Sequence, residues 1–200
     1  SRVPEPEVAR IAGALSRRYL ADWQRAARPV PIPSELSRLT IDIVSLATLG
    51  TCFTPQEGRR FVELFFDYHR RAQPMLLLLG PRDRARRQAL VDGLGLAEIG
   101  RQMRGLVRGR FLAPLLDQVP DACSAPFAAA LLQSDEIPRV DGLDLARDRA
   151  RQDAMLDEIA VMLLAGHETT ASVLSWLLWE LAARPGLQEA AAPLSAGGSA

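Results

Sequence analysis

The chain has 200 residues and a formal net charge of zero, with 24 arginines and no lysine. A chain without net charge has no general field to attract nucleic acid or an anionic membrane, so neither is expected as a partner. Its two cysteines are far apart and no secretory leader is recognisable, so we expect a reducing cytoplasmic environment rather than a disulfide framework.

Helix signals follow one another along the first third of the chain. Apolar residues at helical spacing predict a helix over 4–23. The proline-rich segment 28–33 predicts an extended connector, and Ser34 is a candidate N-cap for the helix that follows. Residues 54–57, Thr-Pro-Gln-Glu, match a capping box with proline at the first helical position, which predicts a helix to about Ala72.

The middle of the chain has more breaks. Residues 74–81 begin and end with proline and predict a short apolar loop, after which 82–110 predict a basic helix weakened by glycines. Residues 126–133 predict a short helix, and 134–142 a polar loop. Since no strand-like alternation or internal repeat stands out, the predicted fold class is all-α.

The most informative segment is a long helix predicted over 152–184, which Pro185 ends. Its apolar residues recur at intervals of three and four, as in a helix that packs against others. Between Ile159 and Gly166 it is apolar on every side, which predicts a central helix with the polar residues 167–170 in the middle of the core. Gly166 would let the helix loosen there, so that the following hydroxyls can bond the freed carbonyls.

Within this helix, the sequence Ala165-Gly166-His167-Glu168-Thr169-Thr170 closely resembles the oxygen-binding central helix of haem-thiolate monooxygenases, the cytochrome P450 family. Residues 35–53 are similar to an earlier helix of that family, and the two stretches occur in the family's order. The resemblance implies haem b, with its iron, as the cofactor and a lid over the substrate formed by 82–110. It also implies dioxygen and an apolar small molecule as substrates, with a reductase or ferredoxin as the electron donor.

The resemblance assigns catalytic roles to Glu168 and Thr169. It implies that the acid relays protons through water and that the hydroxyl holds the bound oxygen. The residues it places at the cofactor are Ala165, Gly166, Thr169 and Thr170. Plainer interpretations remain open: Glu168 could be an ordinary ion-paired acid, and the two threonines could bond only their own helix. His167 is expected to serve packing or hydrogen bonding.

The family's cysteine ligand is missing from its expected place. In the family it lies downstream of the central helix, in a pattern F-x-x-G-x-R-x-C-x-G that an E-x-x-R pair precedes, whereas no cysteine follows Cys123 here. Cys52 and Cys123 are interpreted as buried small apolar residues. The E-x-x-R spacings of this chain all precede the central helix and predict surface ion pairs; they begin at Glu7, Glu35, Glu57 and Glu98.

These observations predict a partial cytochrome P450 helical domain over 1–189, which lacks the family's N-terminal part and its C-terminal haem-thiolate part. The low-complexity tail 190–200 is predicted to be disordered. Such a chain should be inactive alone and should not retain haem. The alternative is a haem-free helical remnant that acts as an interaction module or pseudoenzyme fragment.

Two other classes are excluded by particular residues. A zinc-hydrolase motif starting at His167 would need a second histidine at the position of Ala171, so no metal site is predicted from side chains. A membrane span over 159–182 would place Glu168 near the bilayer centre, which costs on the order of 2.5 to 3.5 kcal/mol for a charged side chain. The long helix is therefore predicted to be a core helix that does not span a membrane.

Overall fold

The computed structural model describes residues 5–78, 84–117, 125–133 and 145–196, and every regular element in these ranges is helical. The elements are α1 (Glu5–Arg25), α2 (Ile32–Leu49), α3 (Pro55–Leu78), α4 (Arg84–Gly93), α5 (Leu96–Val107), α6 (Ala113–Leu116), α7 (Pro126–Gln133), α8 (Leu145–Ala183) and α9 (Pro185–Ala196). A π-helical turn, Arg108–Leu112, joins α5 to α6. The predicted all-α fold class is confirmed.

Several helix starts follow the predicted local chemistry. The capping box before α3 is formed: the backbone N–H of Thr54 donates to Glu57 Oε2 at 2.8 Å, and the N–H of Glu57 donates to Thr54 Oγ1 at 3.3 Å. These two bonds satisfy donors that the first turn of a helix leaves without partners. Helix α7 has the predicted bounds, and α8 contains the predicted central helix almost completely.

Other boundaries differ from the predictions. Helix α2 begins before Ser34, with Pro31 as its N-cap and no side-chain cap, because proline in the first turn needs no backbone donor. The predicted loop over 74–81 is wrong for its first half, since α3 continues to Leu78 through a leucine run of high helix propensity. The predicted basic helix is split at Gly95, whose φ of 68° lies in the left-handed region.

The C-terminal end of the described chain is helical. Helix α9 reaches Ala196, and its alanines favour the helix because alanine has the highest intrinsic helix propensity. The predicted disorder of 190–200 stays a prediction. The boundary of the predicted domain at residue 189 stays a prediction, and the predicted loop 134–142 and Cys123 lie outside the described residues.

The core has two parts that meet along α2 and α8. The larger part joins one side of α8 to α3, the π-helical turn, α6 and α7, and it contains the stacked and edge-on rings of Phe53, Phe61 and Phe111. The smaller part joins α1 to α2 and reaches Ala171 on α8. Helix α2 is therefore clamped between α1 and α8, and it positions the middle of the long helix.

The ion pairs predicted from the E-x-x-R spacings are mostly present. Three of the four close within their own helices at 2.5 to 2.7 Å, and they begin at Glu7, Glu35 and Glu98. The fourth is not formed, because Glu57 is engaged in the capping box and Arg60 lies 3.7 Å from Glu63 instead. The pairs that begin at Glu7 and Glu98 are exposed and contribute about 0 to 1 kcal/mol each, so they have little influence on the fold. The predicted surface location is wrong for the pair of Glu35 and Arg38, whose side chains are 18% and 15% exposed.

One helix in the described ranges, Arg149–Ala183, is long and apolar enough to cross a membrane, with a hydropathy of 1.2 over its most apolar window. The core helix of a soluble protein meets the same two criteria, so length and composition are weak indications. One side of this helix packs against α2, and Glu168 near its middle contacts a histidine of α3. These contacts place one side of the helix in the core, although only 17% of its most apolar window is buried.

Candidate functional site

Helix α8 carries the predicted site and has two sides that differ in burial. One side packs against α2 and α3, and its residues are almost completely buried; they are Met155, Leu156, Ile159, Leu163, His167 and Ala171. The other side, which we call the open face, consists of Val161, Ala165, Thr169, Val173, Trp176, Leu177 and Trp179, all of them exposed. Ala165 and Thr169 fall between Val161 and Val173 because residues four apart share one face of a helix.

The predicted hydroxyls lie on the surface of the described structure. Thr169 and Thr170 are exposed, and each donates a 3.3 Å hydrogen bond to the carbonyl four residues earlier, on Ala165 and Gly166. The expectation that residues 167–170 all lie in the middle of the core is therefore wrong for these two. A helix that is apolar on every side need not be packed against other helices on every side. Helices α2 and α3 pack against one side of α8, and Thr169 and Thr170 lie outside it.

Gly166 faces α2 instead of the open face. A Cβ atom at this position would lie 2.9 Å from Cγ2 and 3.1 Å from Cγ1 of Val44, closer than side chains normally pack. Beside it, Thr40 Oγ1 on α2 donates to the backbone oxygen of His167 at 3.1 Å. The glycine thus permits the close approach of two helices. Its assignment to the cofactor stays a prediction.

His167 is the residue of the motif that is fully buried. Its Nδ1 lies 2.7 Å from the backbone oxygen of Leu163, and its ring meets those of Phe61 and Phe65 edge-on. Because a carbonyl only accepts, Nδ1 carries the proton, and Nε2 is left as a buried acceptor that has no partner in the described part of the chain. Burial among apolar groups lowers the pKa of this imidazole. The packing and hydrogen-bonding role expected of His167 matches this geometry.

Glu168 is half-exposed and lies where α8 passes α3. Its Oε1 is 3.8 Å from Nδ1 of His69, a residue of α3 that the sequence did not single out. Two cavities meet at this pair. A groove of 340 Å³ lies on one side and contains three hydroxyls, those of Ser37, Ser172 and Ser175. A chamber of 380 Å³ lies on the other side, between α3, α5 and α8.

The chamber is mostly apolar, and arginines of α5 and of the π-helical turn connect its outer side to α8. Its apolar lining includes Phe61, Phe65, Met103, Val107 and Leu164. Arg104 contacts Asp157 and Asp153 of α8, and Arg108 donates to Asp153 at 2.8 Å. These partners lie more than forty residues apart in sequence, so no local pattern predicts them. The segment predicted as a lid is therefore tied to the helix that carries the site.

The open face suits a flat apolar group, since the small Ala165 and Thr169 lie between bulkier apolar residues. The described cysteine does not suit the role of thiolate ligand. Cys52 is half-buried, its Sγ donates to the oxygen of Asp42 at 3.4 Å, and burial raises its pKa to about 11, away from the thiolate form. Among the described residues no group of three or more His, Cys, Asp or Glu could hold a metal ion.

Comparisons with known proteins find the same family over the part of the chain that contains α8. The family model described as Cytochrome P450 matches residues 117–192. A putative cytochrome P450 135A1 of Mycobacterium tuberculosis is 52% identical over 42 residues, which are 21% of this chain and 9% of that protein. Cytochrome P450 BJ-4 of Bradyrhizobium diazoefficiens is 41% identical over 51 residues, 26% of this chain and 11% of that protein.

A solved structure extends the likeness of the fold beyond the matched sequence. The crystal structure of the cytochrome P450DA heme domain aligns with 93% of this chain at a TM-score of 0.53 and 20% sequence identity. The aligned part is 37% of that domain, so the chain spans well under half the length of this structural relative. The family model and the sequence relatives show that the part of the chain with α8 is similar to the cytochrome P450 family, and the solved structure shows a similar helical fold over most of the chain.

Proposed function

We propose that α8 forms one wall of a monooxygenase site, in which dioxygen oxidises an apolar organic substrate. Similarity to the family supports the general class of reaction. One observation carries the specific proposal: Thr169 and Ala165 lie exposed on the open face, while Glu168, the next residue, contacts two cavities. An acid and an alcohol are thus adjacent on a surface with room for reactants.

Haem b, when bound, would supply the activation of dioxygen with electrons from a reductase or ferredoxin, which is chemistry that side chains cannot perform. The open face would contact the flat group. Ala165 leaves space because it is small, and the Thr169 hydroxyl offers a donor and an acceptor above that space. Its bond to the Ala165 carbonyl, at 3.3 Å, is long for a hydroxyl donor, so this hydroxyl can turn towards another acceptor.

Glu168 would move protons between water and the Thr169 side. A carboxylate suits this task because it can accept and return a proton within one cycle. The apolar chamber would accommodate the substrate, since aromatic and aliphatic side chains dominate its lining. Cys52 would contribute nothing to the site, because a thiol whose pKa is about 11 remains protonated at neutral pH.

The test uses a complete protein in which this chain is joined to matching N- and C-terminal parts of a family member. With Thr169→Ala we expect normal haem binding but a larger share of electrons released as hydrogen peroxide, because protons are no longer oriented. With Glu168→Gln we expect slower turnover, because the acid is lost. Thr170→Ala is the matched control, since it points about 100° further round the helix.

The readouts are product formed, peroxide released and melting temperature, measured for each variant. Purely structural threonines would lower the melting temperature of both threonine variants without changing the product obtained per electron. A Thr169→Ala protein with the parent's ratio of product to peroxide would contradict the proposed role of Thr169. An unchanged turnover rate in Glu168→Gln would contradict the proposed role of the acid.

A further inference from the structure

Among the described residues, His69 is the basic side chain that lies within 4 Å of the carboxylate of the proposed proton-transfer acid, Glu168. It lies on α3, and its Nδ1 is 3.8 Å from Glu168 Oε1. Its ring packs against Phe65 with centroids 4.3 Å apart, which restricts the ring to one side of α3. Both partners are close to half-exposed, at 45% and 46%, so the pair can exchange protons with water.

The other charged groups near this pair are engaged elsewhere. On α3, Asp67 pairs with Arg70 and Arg71. On α5, Arg104 contacts Asp157 and Asp153 on α8. His167, although adjacent to Glu168 in sequence, points into the core and bonds Leu163. Among these groups His69 is the one left to meet the Glu168 carboxylate.

The two cavities beside the pair differ in chemistry. The groove on one side brings Ser37, Ser172 and Ser175 together, and hydroxyls of this kind hold water by donating and accepting hydrogen bonds. The chamber on the other side is lined mostly by apolar side chains. His69 and Glu168 line both cavities, so they lie between a groove that contains three serine hydroxyls beside apolar side chains and a chamber that is more apolar.

We propose that His69 is a positioning residue for Glu168. The His69 side chain holds the Glu168 carboxylate at the groove, so that protons reach the carboxylate from groove water. In each transfer Glu168 takes one proton from groove water and passes one proton towards Thr169, after which Glu168 is again a carboxylate. The apolar chamber then stays free for substrate. This inference rests on the proposed function of Glu168. It adds the residue that positions this acid, His69, and the cavity from which its protons come, the groove.

The contact itself is tested on the 200-residue chain with diethyl pyrocarbonate, which modifies accessible histidine nitrogens. The chain suits this reagent because its two histidines differ completely in burial, with His167 fully buried, and because it has no lysine to compete. We expect His69 alone to react in the folded chain. Glu168→Gln should speed that reaction about 1.5- to 5-fold, the range for losing an exposed ion pair.

The matched control is Glu158→Gln, which removes an exposed carboxylate from the same helix. Residue 158 lies ten positions before Glu168, about 15 Å along α8 at 1.5 Å per residue, so the His69 rate should equal that of the parent. Equal rates in the parent and in Glu168→Gln would overturn the proposed contact. Equal acceleration in both glutamine variants would overturn it too, because it would indicate a general effect of charge.

The positioning role is tested in the complete joined protein. His69→Gln should slow turnover, by less than Glu168→Gln does, with an unchanged haem absorption spectrum, and His69→Arg, which puts a cation near Glu168, should restore the parent's rate. If Glu168→Gln slows turnover while His69→Gln matches the parent, the His69 inference fails and the proposed function stands. If Glu168→Gln matches the parent, the proposed function fails, and the relay through His69 fails with it.

Discussion

Replacing Gly166 with alanine tests the close approach of α8 to α2, on which the position of the open face depends. Alanine should gain about 1 kcal/mol from helix propensity, but overpacking a tight contact costs about 1 to 3 kcal/mol. The added Cβ would lie 2.9 and 3.1 Å from the two γ-carbons of Val44, on a stiff β-branched side chain that cannot easily turn away. We therefore expect the free energy of unfolding to fall by up to about 2 kcal/mol.

Thermal unfolding of the chain, followed by circular dichroism, measures this change. A loss of 1 kcal/mol shifts the melting temperature by roughly 2 to 4 °C in a chain of this length. Gly105→Ala is the matched control, because Gly105 also lies within a helix but has nothing within 4 Å of an added Cβ. That variant should gain up to about 1 kcal/mol.

A second substitution identifies the contact that causes the loss. Val44→Ala removes both γ-carbons, so adding it to Gly166→Ala should recover part of the lost stability, although Val44→Ala alone should destabilise the chain. If Gly166→Ala raised the melting temperature as much as Gly105→Ala, the two helices would not be in contact there. Strictly additive effects of the two substitutions would lead to the same conclusion.

Two further predictions concern buried polar groups. Burial lowers the pKa of His167, so below its ordinary value near 6.5 the unfolded chain binds a proton that the folded chain does not, and stability should fall as pH decreases. Urea unfolding should show a lower free energy of unfolding at pH 5 than at pH 7 in the parent, and a smaller decrease in His167→Leu. Equal decreases in the two proteins would contradict the role of His167. Tyr19→Phe removes a 2.7 Å hydrogen bond to the buried Asp42 and should lower the free energy of unfolding by about 2 kcal/mol, measured by urea unfolding at pH 7. An unchanged urea midpoint would show that Arg18, 3.3 Å away, satisfies the Asp42 carboxylate alone.

The helices could largely be predicted because their signals are local. A capping box, a proline before a helix or a three-four apolar spacing acts within a few residues, and α3, α7 and α8 contain such signals. The errors also have local causes that compete with these signals. The leucine run that extends α3 past Pro74 has a high helix propensity, which outweighs the proline signal that predicted a loop there.

The candidate site could be predicted only along α8 itself. The resemblance assigns roles to Glu168 and Thr169, which stay predictions, and the structure places both residues on α8. His69 lies 99 positions before Glu168, and nothing near it in sequence marks it as a partner. The arginines that connect α5 and the π-helical turn to α8 were missed for the same reason, since a salt bridge between helices depends on how those helices pack.

The division of α8 into a buried side and an open face also divides the residues of the motif into two groups, those that packing explains and those that it does not. Gly166 and His167 meet α2 and α3, and their burial and contacts are explained by packing alone. Packing does not explain why a small residue and a hydroxyl, Ala165 and Thr169, interrupt a line of exposed valine, tryptophan and leucine side chains. An apolar stripe broken by small groups at its centre suits a flat partner that needs space at that point, which is why the proposed chemistry belongs to Thr169 and its neighbouring acid.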